Sequence, residues 1–254
     1  MSLVQSVQES AIHPGAPESA LANASPEDVR VQRVSWQPID WLILLLLVLV
    51  GGALRFYQLG NVPPGFQFDE AFNALDAEQV LEGNFPLFLP ANGGREVLFT
   101  YFQAGLIWLL GASVWSFRLA SALWGTAAVG AAFLLFRFML RRDSRLIAAL
   151  TAASLAISYW HVHFSHFGIR VITMPVLFSA LFGCFFAATV ARTRTRRVLL
   201  YVLAGILLGA TVWSNPTGRF APFVLLLWVG ILLWREPRFR TLRLDGQIGR
   251  VSCR

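Results

Sequence analysis

Six apolar runs divide the chain: about Ile39 to Leu59, Phe117 to Met139, Leu146 to Trp160, Ile169 to Ala191, Val198 to Trp213 and Phe220 to Trp234. Runs this long, with no polar face repeating every three or four residues, are the pattern of helices surrounded by lipid rather than of helices covering a soluble core. The pattern predicts an all-α fold, a polytopic transmembrane helical bundle of about six spans. Three runs are shorter than the usual ~20 residues and are expected to tilt little or to sit in a locally thin bilayer. A seventh run, Val97 to Leu110, has only ~14 residues, the length of an interfacial or re-entrant helix.

Polar residues give the remaining boundaries. Residues 1–37 are rich in Ser, Ala, Glu, Gln and Pro and bury too little apolar surface to order themselves, so a disordered cytoplasmic tail is expected there. The first apolar run lies too far from the start to be the core of a signal peptide and is read as an uncleaved anchor. Residues 38–234 form the membrane region, and 235–254 a second cytoplasmic tail. Within the fourth run Pro175 predicts a kink, and Asn215-Pro-Thr-Gly a turn. Asp69-Glu70 opens a helix that runs to about Glu82 and stops at Gly83.

Composition confirms the class, with 56% apolar and 14% charged residues. The net charge of +7 falls in clusters between the runs rather than along a stripe, which speaks against nucleic acid as a partner. Every basic residue is Arg, so Schiff-base chemistry on lysine is excluded. Cys184 and Cys253 fall at different predicted levels, and no disulfide between them is expected.

Charge also sets the topology. If Val97 to Leu110 does not cross, three clusters (Arg141, Arg142 and Arg145; Arg192 to Arg197; Arg235 to Arg243) share the cytoplasmic side with Arg30 and Arg33. That arrangement satisfies all of them at once and places the chain in the cytoplasmic membrane, N-terminus inside. The outer side then holds a long loop from Gly60 to Ser116, a short one around His161 to Gly168, and the turn at Ser214.

The candidate chemistry gathers on that outer side. Asp69, with Glu70 beside it, is either a helix N-cap or the chemical centre; a carboxylate at a membrane interface is costly and tends to be functional. His161, His163 and His166 have a spacing open to metal ligation, acid–base work, phosphate hydrogen bonding or plain interfacial packing. Arg95, Arg170 and Arg219 share one predicted level, where a planar, permanently charged guanidinium suits the phosphate oxygens of a lipid; snorkelling to headgroups is the bland alternative.

These residues carry a resemblance. A first span, then Phe68-Asp-Glu-Ala-Phe-Asn-Ala-Leu, then Gly94-Arg-Glu-Val-Leu-Phe-Thr-Tyr, then Ser116-Phe-Arg-Leu-Ala-Ser-Ala-Leu is similar in order and spacing to the polyprenol-phosphate-dependent glycosyltransferases of the GT-C fold, in particular the protein mannosyltransferase and aminoarabinose transferase-like group. The resemblance covers about Ile39 to Trp234. It implies that Asp69 is the catalytic aspartate and that Arg95-Glu96 contacts the lipid phosphate. It further implies inverting transfer of a sugar from a polyprenyl-phosphate donor to a hydroxyl of a lipid, glycan or protein acceptor. Asp69 would act as general base, Glu70 would orient it or bind acceptor, and Arg95, Arg170 and Arg219 would stabilise the departing phosphate.

Two departures stand out. Many relatives carry a second aspartate after the third span, where His166-Phe-Gly-Ile-Arg-Val-Ile-Thr-Met-Pro has no acid; a divalent cation as cofactor is left open. Relatives are also longer, so a truncated product is expected. The rival classes are a transporter or lipid flippase, and a non-catalytic membrane fragment.

Overall fold

A computed structural model of the protein describes residues 36–90, 93–140 and 144–235. The expected tail over 1–37 lies outside these except for its last two residues, as do Arg30, Arg33, Arg141, Arg142, the arginines from Arg238 onward and Cys253. The described chain is all-α but for one antiparallel pair of two-residue strands, β1 (Phe88–Leu89) and β2 (Arg95–Glu96), with Phe88 opposite Glu96. The helices are α1 (Pro38–Phe56), α2 (Phe68–Leu81), α3 (Leu98–Leu110), α4 (Val114–Met139), α5 (Ser144–Ile157), α6 (Tyr159–His166), α7 (Met174–Thr189), α8 (Arg194–Val212) and α9 (Ala221–Arg235). Short 3₁₀ turns at Arg170–Thr173 and Pro216–Phe220 lead into α7 and α9.

Four helical stretches are long and apolar enough to cross a membrane: α1, α4, Arg170–Thr189 and α8. The bent pair α5 and α6 makes a fifth if the two count as one span. The sixth expected span is α9, whose 15 residues reach only about 22 Å at 1.5 Å per residue. Four to five spans therefore meet the length requirement where the apolar runs suggested six.

Helix α4 is the axis of the bundle, packing against α1, α3, α5, α6 and α7. Along α5, Ala148, Ala152 and Ala156 repeat every fourth residue. This small-residue strip lets α5 approach Val129 and Phe133 of α4 and Ile43, Leu44 and Leu47 of α1. Close approach matters because lipid tails remove the hydrophobic drive for helix association and leave van der Waals contact to supply it.

Polar clusters mark the two ends of α4. Arg118 lies at one end and Arg137 at the other, about 28 Å apart along the axis, the thickness of a bilayer's hydrocarbon core. At the Arg137 end, the fully buried Asp40 carboxylate accepts from Arg137 at 2.9 and 3.0 Å and from Arg145 at 2.7 Å, tying α1, α4 and α5 together. Phe186 near the end of α7 meets Phe138 edge-on, so the turn carrying Arg192 to Arg197 falls at this same end.

Helix α3 begins directly after Glu96 and ends at Gly111, whose carbonyl accepts from Ser116 Oγ at 2.6 Å, two residues before Arg118. Both of its ends thus sit at the Arg118 end of the bundle. Cysteines introduced at Asn84 and Ala112, which bracket the β pair and α3, are expected to react with a membrane-impermeant maleimide from the same side in sealed vesicles. Labelling from opposite sides would mean that α3 crosses.

The third span departs from expectation. The run Leu146 to Trp160 is not one straight helix followed by an outer loop; α5 stops at Ile157, and α6 leaves it at 53°. The histidines placed in a loop belong to α6. At the break Arg55, fully buried on α1, donates to the carbonyls of Leu155 and Ala156 at 3.0 Å each and so supplies the partners that the next turn of α5 would otherwise provide. Pro175 produces no kink, because it occupies the first turn of α7, where its missing N–H costs nothing.

Candidate functional site

The first turn of α2 presents the acid pair. Gln67 is the N-cap and donates its backbone N–H to Glu70. Asp69 is therefore not the cap. It stands at the second helical position, exposed, where a carboxylate also complements the helix dipole. Its charge reaches the Arg170 guanidinium.

Glu70 points the other way. Its carboxylate is fully buried and accepts from Arg118 Nε at 2.6 Å and Nη2 at 3.1 Å, and from the Gly168 N–H at 3.3 Å. Arg118, equally buried, also donates to the carbonyls of Pro63 at 3.0 Å and Gly65 at 2.7 Å. One guanidinium thus pins both α2 and the loop that delivers it. Arg118 had no role in the sequence reading, although the motif Ser116-Phe-Arg-Leu contained it; the available signal was an arginine within an apolar run that requires a buried acid partner.

The β pair brings in the next two charges. Gly94 has φ +87°, and a Cβ there would stand 2.6 Å from the Phe88 ring, so only glycine allows β2 to close on β1. Arg95 then donates to Asn73 Oδ1 at 2.8 Å, forms an ion pair with Asp76 and lies over the Phe72 ring. Burial pushes the Asp76 carboxyl above its ordinary range, against the pull of Arg95 and Arg170. Asn73 donates in turn to the Gly168 carbonyl at 2.8 Å. A Cβ on Gly168 would fall 1.9 Å from Phe117, so the close approach of the segment after α6 to α4 depends on glycine. Glu70, Asn73, Asp76, Ala77 and Val80 follow the three-to-four spacing of one helix face, which is the sequence signal for the two polar residues not singled out there.

Glu96 is buried between two arginines from distant parts of the chain. Arg219 Nη2 donates to Oε1 at 2.9 Å, and Arg170 Nε faces Oε2 at 3.5 Å without hydrogen-bond geometry. The Arg170 guanidinium experiences the charges of Glu96, Arg95, Asp69 and Asp76 together. Arg95, Glu96, Arg170 and Arg219 therefore converge, with Asp69 within electrostatic reach. The three acids Asp69, Asp76 and Glu96 balance the three arginines.

The histidines do not join this group. His161 Nδ1 accepts from Arg55 at 2.8 Å, since arginine can only donate. His163 stacks on Tyr159 and meets Phe167 edge-on. The ring nitrogens of the buried His166 face the carbonyls of Val162 and Tyr57 at 3.0 and 3.1 Å. Among the described residues, no group of three or more His, Cys, Asp or Glu side chains is placed to hold a metal ion.

No family model, characterised protein or solved structure matches the chain.

Proposed function

We propose that the protein is a membrane glycosyltransferase that moves a sugar from a polyprenyl-phosphate donor to an acceptor hydroxyl at the outer face of the cytoplasmic membrane. The observation that supports this most is the convergence of Arg170 and Arg219 on Glu96, with Asp69 within reach of Arg170. Asp69, exposed and ionisable, takes the proton of the acceptor hydroxyl as its oxygen attacks the anomeric carbon. The bond from that carbon to the phosphate oxygen breaks with inversion, and its electrons leave with the polyprenyl phosphate. Arg170 and Arg219 stabilise the charge on that leaving group. Arg95, held by Asp76 and Asn73, keeps the β pair in place behind them.

The bent α5–α6 pair favours a transporter, because broken helices line many transport sites. Here, however, the break is filled by Arg55, whose Nη groups donate to the carbonyls of Leu155 and Ala156 there and to His161 Nδ1. The exposed charges lie at the end of the bundle instead.

The reading is tested with the full chain in lipid nanodiscs. Arg170→Ala and Arg219→Ala are each expected to weaken binding of a polyprenyl-phosphate analogue roughly tenfold or more, the loss that follows from removing one charged hydrogen bond. Arg194→Ala, on the turn at the opposite end, serves as control. Equal losses in all three variants would indicate general attraction to headgroups and would sink the site.

A further inference from the structure

The two arginines read above as phosphate ligands, Arg170 and Arg219, are bridged by the protein's own carboxylate, Glu96. From this we infer that Glu96 is a placeholder: its side chain holds Arg170 and Arg219 in the absence of ligand and is displaced by the phosphate group that enters between them. The inference rests on the phosphate reading of these two arginines and adds to it a built-in competitor.

Three observations carry it. First, the two contacts are unequal. Arg219 Nη2 bonds Glu96 Oε1 well at 2.9 Å, whereas Glu96 Oε2 and Arg170 Nε confront each other at 3.5 Å, both buried and both without a hydrogen bond. An ion pair at this distance, without the geometry of a hydrogen bond, leaves hydrogen-bonding capacity of both groups unused. The donors of these two arginines suit an acceptor with more oxygens than one carboxylate offers, and a phosphate presents three around one centre.

Second, the charges leave no attraction to spare. Asp69, Asp76 and Glu96 match Arg95, Arg170 and Arg219 one for one, and Glu70 is matched by Arg118. An anion approaching this balanced group gains little unless one acid withdraws. Asp76 is locked to Arg95, and Glu70 to Arg118, both beneath the site. Asp69 is already exposed on the first turn of α2, which leaves Glu96 as the acid that stands between Arg170 and Arg219, the latter 63% exposed.

Third, the exchange requires no change of fold. The backbone of Glu96 is held by the β pair and by the fully buried Val97, so the exchange proposed is a rotamer change of its side chain. The withdrawn carboxylate gives up Arg219 and Arg170, and the phosphate oxygens replace it on both.

The inference has a sign opposite to that expected for a supporting residue. If Glu96 serves only to hold the arginines, removing its charge loosens them and weakens phosphate binding. If it is a placeholder, removing its charge tightens binding. The experiment measures binding of inorganic phosphate and of farnesyl phosphate by titration calorimetry, using the full chain in nanodiscs and checking each variant by its thermal melt. Glu96→Gln is expected to bind both probes roughly tenfold tighter than the unaltered protein, a like-charge cost of this order having been removed. Glu96→Asp, whose carboxylate is withdrawn by one methylene, is expected to fall between and decides the matter if the Gln variant does not fold. Adding Arg219→Ala to Glu96→Gln should abolish the gain.

Unchanged or weaker binding by Glu96→Gln, with farnesyl phosphate still bound by the unaltered protein, overturns the placeholder and leaves the lipid-phosphate reading standing. Tighter binding of inorganic phosphate with no binding of farnesyl phosphate by any variant supports the placeholder and overturns the lipid reading. Binding of neither probe by any variant overturns both.

Discussion

Replacing Asp69 by Asn is expected to lower sugar transfer by roughly 10²- to 10⁴-fold, the contribution typical of a positioned general base. The change is close to isosteric and removes the ability to take a proton together with one negative charge near Arg170. Structure makes the test cleaner, because the helix is capped by Gln67 and the buried face of α2 is held by Glu70, Asn73 and Asp76, none of which is altered. Through the helix dipole an exposed first-turn carboxylate such as Asp69 contributes about 0.3–1 kcal/mol to folding. The variant should therefore fold and insert normally. Transfer measured with a polyprenyl-phosphate sugar in nanodiscs gives the answer, and turnover near that of the unaltered protein would remove Asp69 from the chemistry.

Local signals in the sequence were legible where the cause of a structure is itself local. The bounds of α2 follow from a carboxylate-rich first turn and a stop at Gly83, and the helix found, Phe68–Leu81, agrees to within about a residue. The short apolar run before Gly111 yields the short helix α3, because length alone separates it from the spans. The gathering of Arg95, Arg170 and Arg219 was visible as a shared level, and the structure supplies the residue on which two of them meet, Glu96.

What was hidden has distant causes. Nothing between Leu146 and Trp160 announces a break, since the run contains neither proline nor glycine; the donor that meets the freed carbonyls, Arg55, lies on another helix. The three histidines look alike in sequence, yet the bend of α6 sends one to Arg55, one to aromatic rings and one to the end of α1. Asp69 and Glu70 are adjacent, and helical geometry turns the first outward and the second into the core. The reading that paired them as chemical partners could not distinguish their burial. Arg118 escaped notice for the same reason, because its partner Glu70 lies on a different helix and was already given another role.

Arg118→Met should produce the largest loss of stability at this end of the molecule, about 3–5 kcal/mol, the cost of removing one member of a buried ion pair and leaving the other charge uncompensated. Glu70 is fully buried, and without Arg118 it retains only backbone N–H donors, from Gly168 and Gln67. The carbonyls of Pro63 and Gly65 lose their donor at the same time. Chemical unfolding in mixed micelles measures the change, with Arg219→Ala as the reference for a pair whose arginine is exposed and whose carboxylate keeps Arg170 as a second partner, expected to cost clearly less. Adding Glu70→Gln to Arg118→Met removes the stranded charge and should recover a substantial part of the loss. Arg118→Lys then separates holding from positioning: it restores the charge but not the two-pronged fork, nor the reach to the loop carbonyls. It is expected to regain stability while leaving transfer impaired, because the segment from Gly65 to Asp69 is no longer held in register with Arg170. If Arg118→Met costs no more than Arg219→Ala, the pair is not what fixes α2, and the position of Asp69 must depend on Asn73 and Gly168 instead.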